Sequence, residues 1–96
     1  MNIKEMKVKS KEVAMMMKNL SHPGRLLILC SLLDSEKTVT EIENFCEMSQ
    51  SQTSQYLRTL EAANLVKKER DGKYRYYSLK DHRTKILMNK LQELYC

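Results

Sequence analysis

The sequence lacks a long apolar run and has few cysteines. Its first twenty residues carry lysine throughout and offer only VAMMM as an apolar stretch, which is too short for the hydrophobic region of a signal peptide or for a membrane span. The three cysteines, Cys30, Cys46 and Cys96, are odd in number and too few for a disulfide scaffold. We therefore expect a cytoplasmic protein whose thiols are normally reduced.

Internal repeats, low-complexity tracts and linkers between domains are also absent, so we expect a single domain over residues 1–96. With 42% hydrophobic and 30% charged residues, seven methionines and no tryptophan, the composition is that of a soluble globular protein. A domain of this size buries only a modest core by itself, which favours dimerisation. The formal net charge of +5 indicates nucleic acid or another acidic surface as the partner.

The first predicted helix is amphipathic and rich in methionine. Its apolar residues recur at helical spacing, which indicates a helix that begins near Ser10 or Lys11. The inward stripe consists of Val13, Met16, Met17 and Leu20.

A second helix follows within SHPGRLLILCSLLD. Ser21 or His22 can cap it, and Pro23 suits its first turn because the missing amide hydrogen is not needed there. The pattern predicts that this helix ends around Asp34 and that residues 35–37 form a short linker.

Two further helices are predicted after this linker. The segment TVTEIENFCEM indicates a brief third helix, with Thr38 or Thr40 as its cap. Its inward residues are Val39, Ile42, Phe45 and Cys46. A fourth helix is expected from about Gln50 to Ala63, because Ser49 and Gln52 have the spacing of a capping box.

The fourth predicted helix has two different faces. The face towards the core presents Thr53, Tyr56, Leu57 and Leu60. The opposite face contains no aspartate or glutamate, and its residues are Gln50, Ser51, Ser54, Gln55 and Arg58. Asn64 follows the helix, at a place where a residue able to adopt the left-handed conformation is favoured.

The rest of the chain predicts a hairpin and a last helix. Asp71-Gly72 lies between two strand-like runs and indicates a hairpin over roughly residues 65–79, because a type I′ turn needs positive φ at both central residues. The last helix starts after Asp81, which can cap it. One face of this helix carries Ile86, Leu87, Leu91 and Leu94. The expected fold class is mainly α with a β-hairpin wing.

The third and fourth helices form a predicted helix-turn-helix, and the hairpin forms its wing. In this motif the second helix enters the major groove, where glutamine can pair with adenine and serine can donate or accept. A polar face is ordinarily only solvated, but the absence of acidic residues favours DNA. The basic wing would make binding steeply salt-dependent. The candidate DNA-binding residues are Gln50, Ser51, Gln52, Ser54, Gln55, Arg58, Lys67, Lys68, Arg70, Lys73 and Arg75.

Three segments, HPGRLLILCSLL, MSQSQTSQYLRTLEAANLV and DGKYRYYSL, occur in an order that resembles the ArsR/SmtB family of bacterial winged-helix repressors over nearly the whole chain. The resemblance implies a homodimer joined through the first and last helices, whose two recognition helices read a palindromic operator in double-stranded DNA. The chain departs from the family at Asn64, where glycine is usual, and at Gln55-Tyr56, where many relatives carry His-His or His-Leu. The operator sequence is therefore not transferable.

Most members of this family sense metals, and the chain departs from their ligand patterns. The arsenic and cadmium types have a Cys-x-Cys pair on the third helix, where Cys46 stands alone, and one thiolate cannot hold a soft metal without partners. The zinc types separate Asp and His at the start of the last helix, whereas Asp81 and His82 are adjacent here. We therefore predict no metal site and no cofactor, and Cys46 is interpreted as a small buried hydrophobe.

Cys30 and Cys96 occupy different kinds of position. Cys30 shares a stripe with Leu26 and Leu33, as a core residue would, whereas Cys96 lies off the stripe of the last helix. The segments LLILC and LYC resemble the dithiol branch of the family, which includes sulfide- and persulfide-responsive repressors and a virulence regulator. That resemblance implies that Cys30 and Cys96 are the redox-sensitive, sulfur-sensing pair. Burial and a helix C-terminus disfavour thiolates, so an activated sulfane-sulfur donor is a better reagent than dilute peroxide.

The predicted function is therefore that of a dimeric DNA-binding transcriptional repressor. Its operator affinity is expected to fall when Cys30 and Cys96 are joined by a disulfide or polysulfide bridge, with reactive sulfur species as the effector. Two alternatives stay open, namely a metal-responsive repressor of the same family and an activator that displaces a silencing protein. A thiol enzyme is disfavoured because no cysteine is placed next to a convincing base or anion-binding loop.

Overall fold

Buried apolar side chains from all five helices meet in one core. In the computed structural model, which describes residues 1–96, the core consists of Leu20, Ile28, Leu29, Leu32, Ile42, Cys46, Leu57, Leu60, Leu65, Val66 and Met88. The elements are α1 (Ile3–Leu20), α2 (Pro23–Ser31), β1 (Lys37–Thr38), α3 (Val39–Cys46), α4 (Gln50–Ala62), β2 (Val66–Asp71), β3 (Tyr74–Leu79) and α5 (His82–Tyr95). No helix combines the length and apolar character that crossing a membrane requires. The predicted fold, mainly α with a β-hairpin wing, is confirmed.

Helix α1 is longer than its apolar pattern predicted. It begins at Ile3 rather than near Ser10 or Lys11, so that prediction is wrong. Asn2 caps the helix because its side chain accepts a hydrogen bond from the amide of Glu5 at 2.9 Å. The early turns are rich in lysine and glutamate, which form helices well, and their apolar residues are separated by these charges, so the sequence pattern there was overlooked.

The predicted inward stripe of α1 is mostly not buried within the chain. Only Leu20 is buried, and Met16 is half-buried against the core. Val13 and Met17 are exposed, because only the last part of α1 reaches the other helices. The chain by itself therefore leaves the apolar residues of α1 uncovered.

Helix α2 begins as predicted and ends earlier. His22 is the cap, and its Nδ1 accepts a hydrogen bond from the amide of Gly24 at 3.1 Å. The helix ends at Ser31 rather than around Asp34, because the following Leu32 closes the last turn with φ −97° and ψ 4°. Leu32 and Leu33 continue the apolar pattern beyond Ser31, so the pattern predicted a longer helix than the structure has.

Residues 35–37 are not simply a linker, because Lys37 and Thr38 form a short strand. This strand, β1, pairs antiparallel with β3, with Lys37 opposite Tyr77 and Thr38 opposite Tyr76. The sheet has three strands in the order β1-β3-β2. A strand of two residues has no alternation of apolar and polar positions, so sequence periodicity does not reveal it.

Helix α3 has the predicted cap and one wrongly predicted side chain. Thr38 accepts from the amide of Glu41, whose carboxylate accepts from the amide of Thr38 in return, which completes a capping box. Ile42 and Cys46 are buried one turn apart, as predicted. Phe45 is 58% exposed rather than inward, because it lies at the edge of that narrow stripe.

Helix α4 follows the prediction closely. Its capping box joins Ser49 and Gln52, and the buried residues Thr53, Leu57 and Leu60 turn towards the core. Asn64 has φ 60°, so the expected left-handed conformation after the helix is confirmed. A residue other than glycine adopts this conformation at some cost, which asparagine keeps small.

The N-terminus of α2 packs directly against α4. The rings of His22 and Tyr56 have centroids 4.8 Å apart. A methyl group added at Gly24 would lie 2.5 Å from Cε2 of Tyr56, so only glycine allows the Tyr56 ring to lie this close to the backbone. This contact fixes the position of α4 relative to α2.

The hairpin is present, but its turn differs from the prediction. Asp71 pairs with Tyr74, so the two central residues are Gly72 and Lys73. Only Gly72 has positive φ, at 63°. Glycine at the first central position is the pattern of a type II′ turn, whose twist suits a hairpin as well as that of type I′. The prediction of a type I′ turn centred on Asp71-Gly72 is therefore wrong by one residue.

Helix α5 has the predicted cap but a different buried face. The side chain of Asp81 accepts a hydrogen bond from the amide of Arg83 at 2.8 Å. Within the chain the buried residues are Thr84 and Met88, and Leu87 and Leu91 are half-buried. Ile86 and Leu94, which were predicted on the inward face, are exposed. The face with the most apolar residues therefore does not all turn towards this chain's own core.

The close contact of Gly24 with Tyr56 predicts that Gly24→Ala changes the free energy of unfolding differently in the wild type and in a Tyr56→Ala background. We expect Gly24→Ala to destabilise the fold by about 1–3 kcal/mol, because the added methyl group forces the Tyr56 ring to move. In a Tyr56→Ala background the same change should be neutral or stabilising by up to about 1 kcal/mol, because alanine favours helix. Urea denaturation of the four proteins measures both values. Equal effects in the two backgrounds would contradict the contact.

The ion pair at the start of α5 predicts a pH-dependent effect of Asp81→Asn. The Arg83 side chain lowers the pKa of Asp81 from 3.8 to about 2. Because the pKa is lower in the folded state, the ionised carboxylate stabilises the fold above its unfolded pKa, and this contribution disappears as the pH falls towards about 2. Asparagine keeps the cap without a charge.

We therefore expect the urea midpoint of the wild type to exceed that of Asp81→Asn at neutral pH and the two midpoints to converge as the pH approaches about 2. The difference will be small because the pair is exposed to solvent. A difference that does not change with pH would show that the Asp81 charge has no stabilising role.

Candidate nucleic-acid interface and thiol pair

The outward face of α4 is polar and free of acidic side chains along its first two turns, and its one carboxylate, Glu61, lies in the last turn. Ser54 is half-buried, and the other predicted contact residues are exposed, namely Gln50, Ser51, Gln52, Gln55 and Arg58. Gln52 also belongs to the capping box of α4, because its Oε1 accepts from the amide of Ser49 at 3.4 Å. Its side-chain NH₂ group remains free to donate to a ligand. This face can donate and accept hydrogen bonds, and no carboxylate on its first two turns repels a phosphate.

Local contacts set the rotation of α4, and with it the direction of this face. The hydroxyl of Thr53 donates to the carbonyl of Ser49 at 2.9 Å inside the first turn. Leu57 and Leu60 are buried in the core, and Tyr56 lies against the start of α2. The polar face therefore points away from the body of the protein along the first two turns of the helix.

All five predicted basic residues of the wing are exposed, namely Lys67, Lys68, Arg70, Lys73 and Arg75. Arg70 lies directly opposite Arg75 across the two strands. Like charges in that arrangement destabilise a hairpin unless an anion lies between them. Lys67 is partly neutralised by Glu69, at 2.9 Å. The strongest uncompensated positive charge is therefore on the side formed by Arg70 and Arg75.

The structure adds aromatic residues that the sequence interpretation did not select. Tyr74 is 51% exposed, and its ring centroid lies 6.4 Å from that of Tyr76. The Lys73 ammonium lies 5.3 Å from the centre of the Tyr74 ring. A shallow groove between the wing and the start of α3 is lined by both tyrosines and by Arg70 and Arg75. The signal in the sequence was the run YRYY, in which aromatic residues interleave with a basic one.

Cys30 and Cys96 differ in exposure. Cys30 is half-buried at the end of α2, and Cys96 is exposed directly after α5. Burial raises the pKa of the Cys30 thiol, and the negative charge of a Cys96 thiolate raises it further. Cys30 interacts through charge with Cys46 as well. The Cys30 thiol is therefore within electrostatic range of both other cysteines.

The third cysteine has a different environment. Cys46 belongs to the buried core, in agreement with its interpretation as a small hydrophobe. Burial raises the pKa of Cys46, and a hydrogen bond from Ser31 partly opposes this rise. Solvent therefore reaches Cys46 much less than it reaches Cys96.

Metal-ligating side chains do not gather anywhere in the chain. No group of three or more histidine, cysteine, aspartate or glutamate residues is placed to hold a metal ion. Asp81 is already bound to Arg83, whose guanidinium donates to it at 2.7 Å. His82 beside it is exposed.

Comparison with known proteins identifies the family. Residues 22–68 match the model of the bacterial regulatory protein, arsR family. The transcriptional activator HlyU of Vibrio cholerae is 35% identical over 96 residues, which cover 100% of this chain and 89% of that protein. The biofilm growth-associated repressor of Xylella fastidiosa is 33% identical, with 100% of this chain and 84% of that protein covered.

Solved structures of similar proteins have the same fold. The transcriptional repressor BigR from Xylella fastidiosa superposes with a TM-score of 0.90 at 33% identity, over 100% of this chain and 98% of that one. A homodimeric winged helix-turn-helix DNA-binding domain from Mycobacterium bovis superposes with a TM-score of 0.80 at 26% identity, over 98% of this chain and 86% of that one.

These relatives are regulators of transcription rather than enzymes, in agreement with the sequence interpretation. The identity extends over the helix-turn-helix, the wing and both terminal helices, because the matches span the whole chain. The chain is therefore a transcriptional regulator with a winged helix-turn-helix fold, and it belongs to the arsR family of bacterial regulatory proteins.

Proposed function

We propose that this regulator is a homodimeric repressor that binds palindromic operator DNA when its thiols are reduced and releases the DNA when Cys30 and Cys96 are bridged by sulfur. One observation carries the DNA-binding part of the proposal. The outward face of α4 has no acidic side chain in its first two turns and stands beside a wing with five exposed basic residues. Such a surface attracts phosphates through charge and offers polar groups to base edges.

Exposed apolar residues on the two terminal helices support the dimer. On α1 these are Ile3, Met6, Val8, Val13, Met15 and Met17, and on α5 they are Ile86, Leu94 and Tyr95. Apolar patches of this extent on a small soluble protein mark an interaction surface. A similar structure is homodimeric, and a second copy of this chain is the proposed partner. A twofold axis then presents two α4 helices to two half-sites of a palindrome.

The side chains have different proposed tasks on the DNA. Gln50, Ser51, Gln52, Ser54 and Gln55 lie on the first turns of α4 and face base edges in the major groove, where glutamine suits adenine. Arg58 lies two turns later and suits a phosphate or a guanine. The wing residues Lys67, Lys68, Arg70, Lys73 and Arg75 neutralise backbone phosphates, which positions the protein without reading sequence.

The proposed sulfur chemistry uses a persulfide as both oxidant and sulfur donor. The Cys30 thiol takes the outer sulfur of RSSH and releases RSH, which leaves Cys30 as a persulfide. The Cys96 thiolate attacks the inner sulfur of this persulfide, a disulfide forms, and the outer sulfur leaves as hydrogen sulfide. If Cys96 is also a persulfide, the two groups condense to a trisulfide and release one hydrogen sulfide.

Exposure, rather than charge coupling, supports the pair Cys30 and Cys96, because Cys30 interacts electrostatically with Cys96 and with Cys46 alike. Cys96 is exposed to a reagent, whereas Cys46 is enclosed in the core. A bridge ties the end of α2 to the end of α5, and α5 is half of the proposed dimer interface. Moving α5 changes the spacing of the subunits, and with it the alignment of the α4 helices with their half-sites.

An activator is the second candidate, because the relative in Vibrio cholerae is named a transcriptional activator. An activator of this fold needs the same DNA surface as a repressor. The two differ because the activator displaces a silencing protein that already occupies the promoter. Transcription in vitro with purified polymerase separates the two. A repressor lowers the yield of transcript from bare DNA, whereas an activator that displaces a silencing protein raises it only when that protein is present.

We predict different losses of DNA binding for α4 and wing variants. Gln55→Ala should cost about 1–3 kcal/mol of discrimination at one base position and leave the salt dependence unchanged. Arg70→Ala should weaken binding to all sequences similarly and lower the slope of log Kd against log salt by about one. Fluorescence anisotropy on a duplex selected from a random library measures both.

Lys85→Ala is the matched control for these variants, because this lysine is exposed and lies on the side of α5 opposite Leu94. We expect wild-type affinity and salt slope. If Arg70→Ala and Lys85→Ala lower the slope of log Kd against log salt equally, the wing is not the phosphate-binding surface.

We predict that the thiol response needs Cys30 and Cys96 and does not need Cys46. Treatment with glutathione persulfide should weaken DNA binding of the wild type and of Cys46→Ala about tenfold or more. Cys30→Ser and Cys96→Ser should keep their affinity, because one thiol cannot form the bridge. Mass spectrometry should find the Cys30 and Cys96 peptides joined, and dithiothreitol should restore binding.

A response that persists in Cys96→Ser would exclude the proposed bridge. A wild-type protein that ignores persulfide but loses DNA on addition of zinc or arsenite would be a metal-responsive repressor instead.

A further inference from the structure

The most deeply buried charge in the protein belongs to Lys37. The residue is only 9% exposed, and its ammonium points at the end of α2. There it donates to the carbonyl of Ser31, to the carboxylate of Asp34 at 3.0 Å and to the hydroxyl of Ser35 at 3.2 Å. The ring centre of Phe45 on α3 lies 5.2 Å away. The ammonium therefore donates a hydrogen bond at the C-terminal end of α2, where helix carbonyls lack backbone partners and the helix dipole favours a positive charge.

The backbone of the same residue belongs to the DNA-binding half of the protein. Lys37 pairs with Tyr77 on β3, the inner strand of the wing, and the next residue, Thr38, pairs with Tyr76. Thr38 is also the cap of α3, the first helix of the helix-turn-helix. One residue thus joins the end of α2 by its side chain to the wing and α3 by its main chain.

The carbonyl that Lys37 binds is next to the proposed sulfur-sensing cysteine. Cys30 directly precedes Ser31, and the carbonyl of Cys30 accepts from the amide of Leu33 in the last turn of α2. A bridge from Cys30 to Cys96 pulls on this turn. The Ser31 carbonyl is then displaced relative to the Lys37 ammonium unless β1 moves with it.

We propose that Lys37 is a positioning residue that transmits the state of Cys30 to the wing and to α3. This inference rests on the proposed thiol switch and names the route by which it reaches the DNA surface inside one subunit. When the last turn of α2 moves, the buried ammonium moves with the Ser31 carbonyl, because leaving it unpaired in the core is costly. β1 then shifts β3 and the cap of α3 together.

The route acts within one subunit and is separate from any change in the spacing of the dimer. It therefore predicts that part of the thiol response depends on a side chain that touches neither cysteine sulfur, the DNA surface nor the exposed residues of α1 and α5. Lys37→Met tests it, because methionine keeps an unbranched apolar stem and the β1 pairing but has no ammonium. Lys85→Met is the matched control, since Lys85 is exposed and lies on the side of α5 opposite Leu94, away from the proposed dimer residues of that helix.

The measurement is the ratio of Kd after and before treatment with glutathione persulfide, on one duplex selected with the reduced wild type. We expect the ratio to be about ten or more for the wild type and for Lys85→Met, and about two or less for Lys37→Met. Hydrogen exchange provides a second readout. Persulfide should speed amide exchange at Thr38 and Tyr76 in the wild type and leave it unchanged in Lys37→Met.

A lysine with only a structural role would lower the melting temperature and the affinity of the reduced protein without changing the ratio. An equal ratio in Lys37→Met and the wild type therefore overturns the inference and leaves the thiol switch standing. A wild-type ratio of one overturns the thiol switch, and the inference with it. If Lys37→Met does not fold, Lys37→Gln makes the same comparison, because it removes the charge and keeps a polar side chain at this position. Its ratio should fall below that of the wild type, and an unchanged ratio counts against the inference.

Discussion

The burial of Leu57 and Leu60, which are 1% and 0% exposed, sets the rotation of α4, and the function depends on that rotation. Because these two residues and Thr53 must face the core, the glutamines and serines between them must face out. The Tyr56 ring then meets the backbone of Gly24, which fixes the helix against α2. A polar surface free of carboxylates is thus a consequence of apolar packing on the other side of the same helix.

Other residues in the DNA-binding half lower the stability of the fold when the protein is alone. Arg70 lies opposite Arg75 on the wing, and Asn64 stands in the left-handed region where glycine is easier to accommodate. The exposed Tyr74 and the half-buried Tyr76 lie beside these arginines. Departures from what is best for folding concentrate at functional sites, and here they surround a surface suited to an anion. The opposed arginines favour a bound phosphate strand between them.

The sequence predicted the elements whose signals are local, and it failed where the cause lies elsewhere in the chain. The capping box of Ser49, the cap of Asp81 and the glycine of the hairpin depend on neighbouring residues and were correct or nearly so. β1 exists only because β3 pairs with it, and Phe45 is exposed because the stripe of α3 is narrow. The apolar patterns of α1 and α5 suggested burial inside the chain, whereas much of this surface needs a second molecule.

The environments of the three thiols suit a regulatory switch better than a cysteine that removes peroxide. Burial raises the pKa of Cys30, so little of it is thiolate at neutral pH and dilute peroxide reacts slowly with it. A persulfide brings sulfur that is already oxidised, and the neighbouring Cys96 thiol then completes the reaction within the molecule. Because Cys30 lies in the last turn of α2, the proposed bridge connects that turn to the end of α5. In the proposed switch, a reaction at the thiols acts on the buried ammonium of Lys37, which donates to the Ser31 carbonyl in that turn and belongs to the strand that borders the wing.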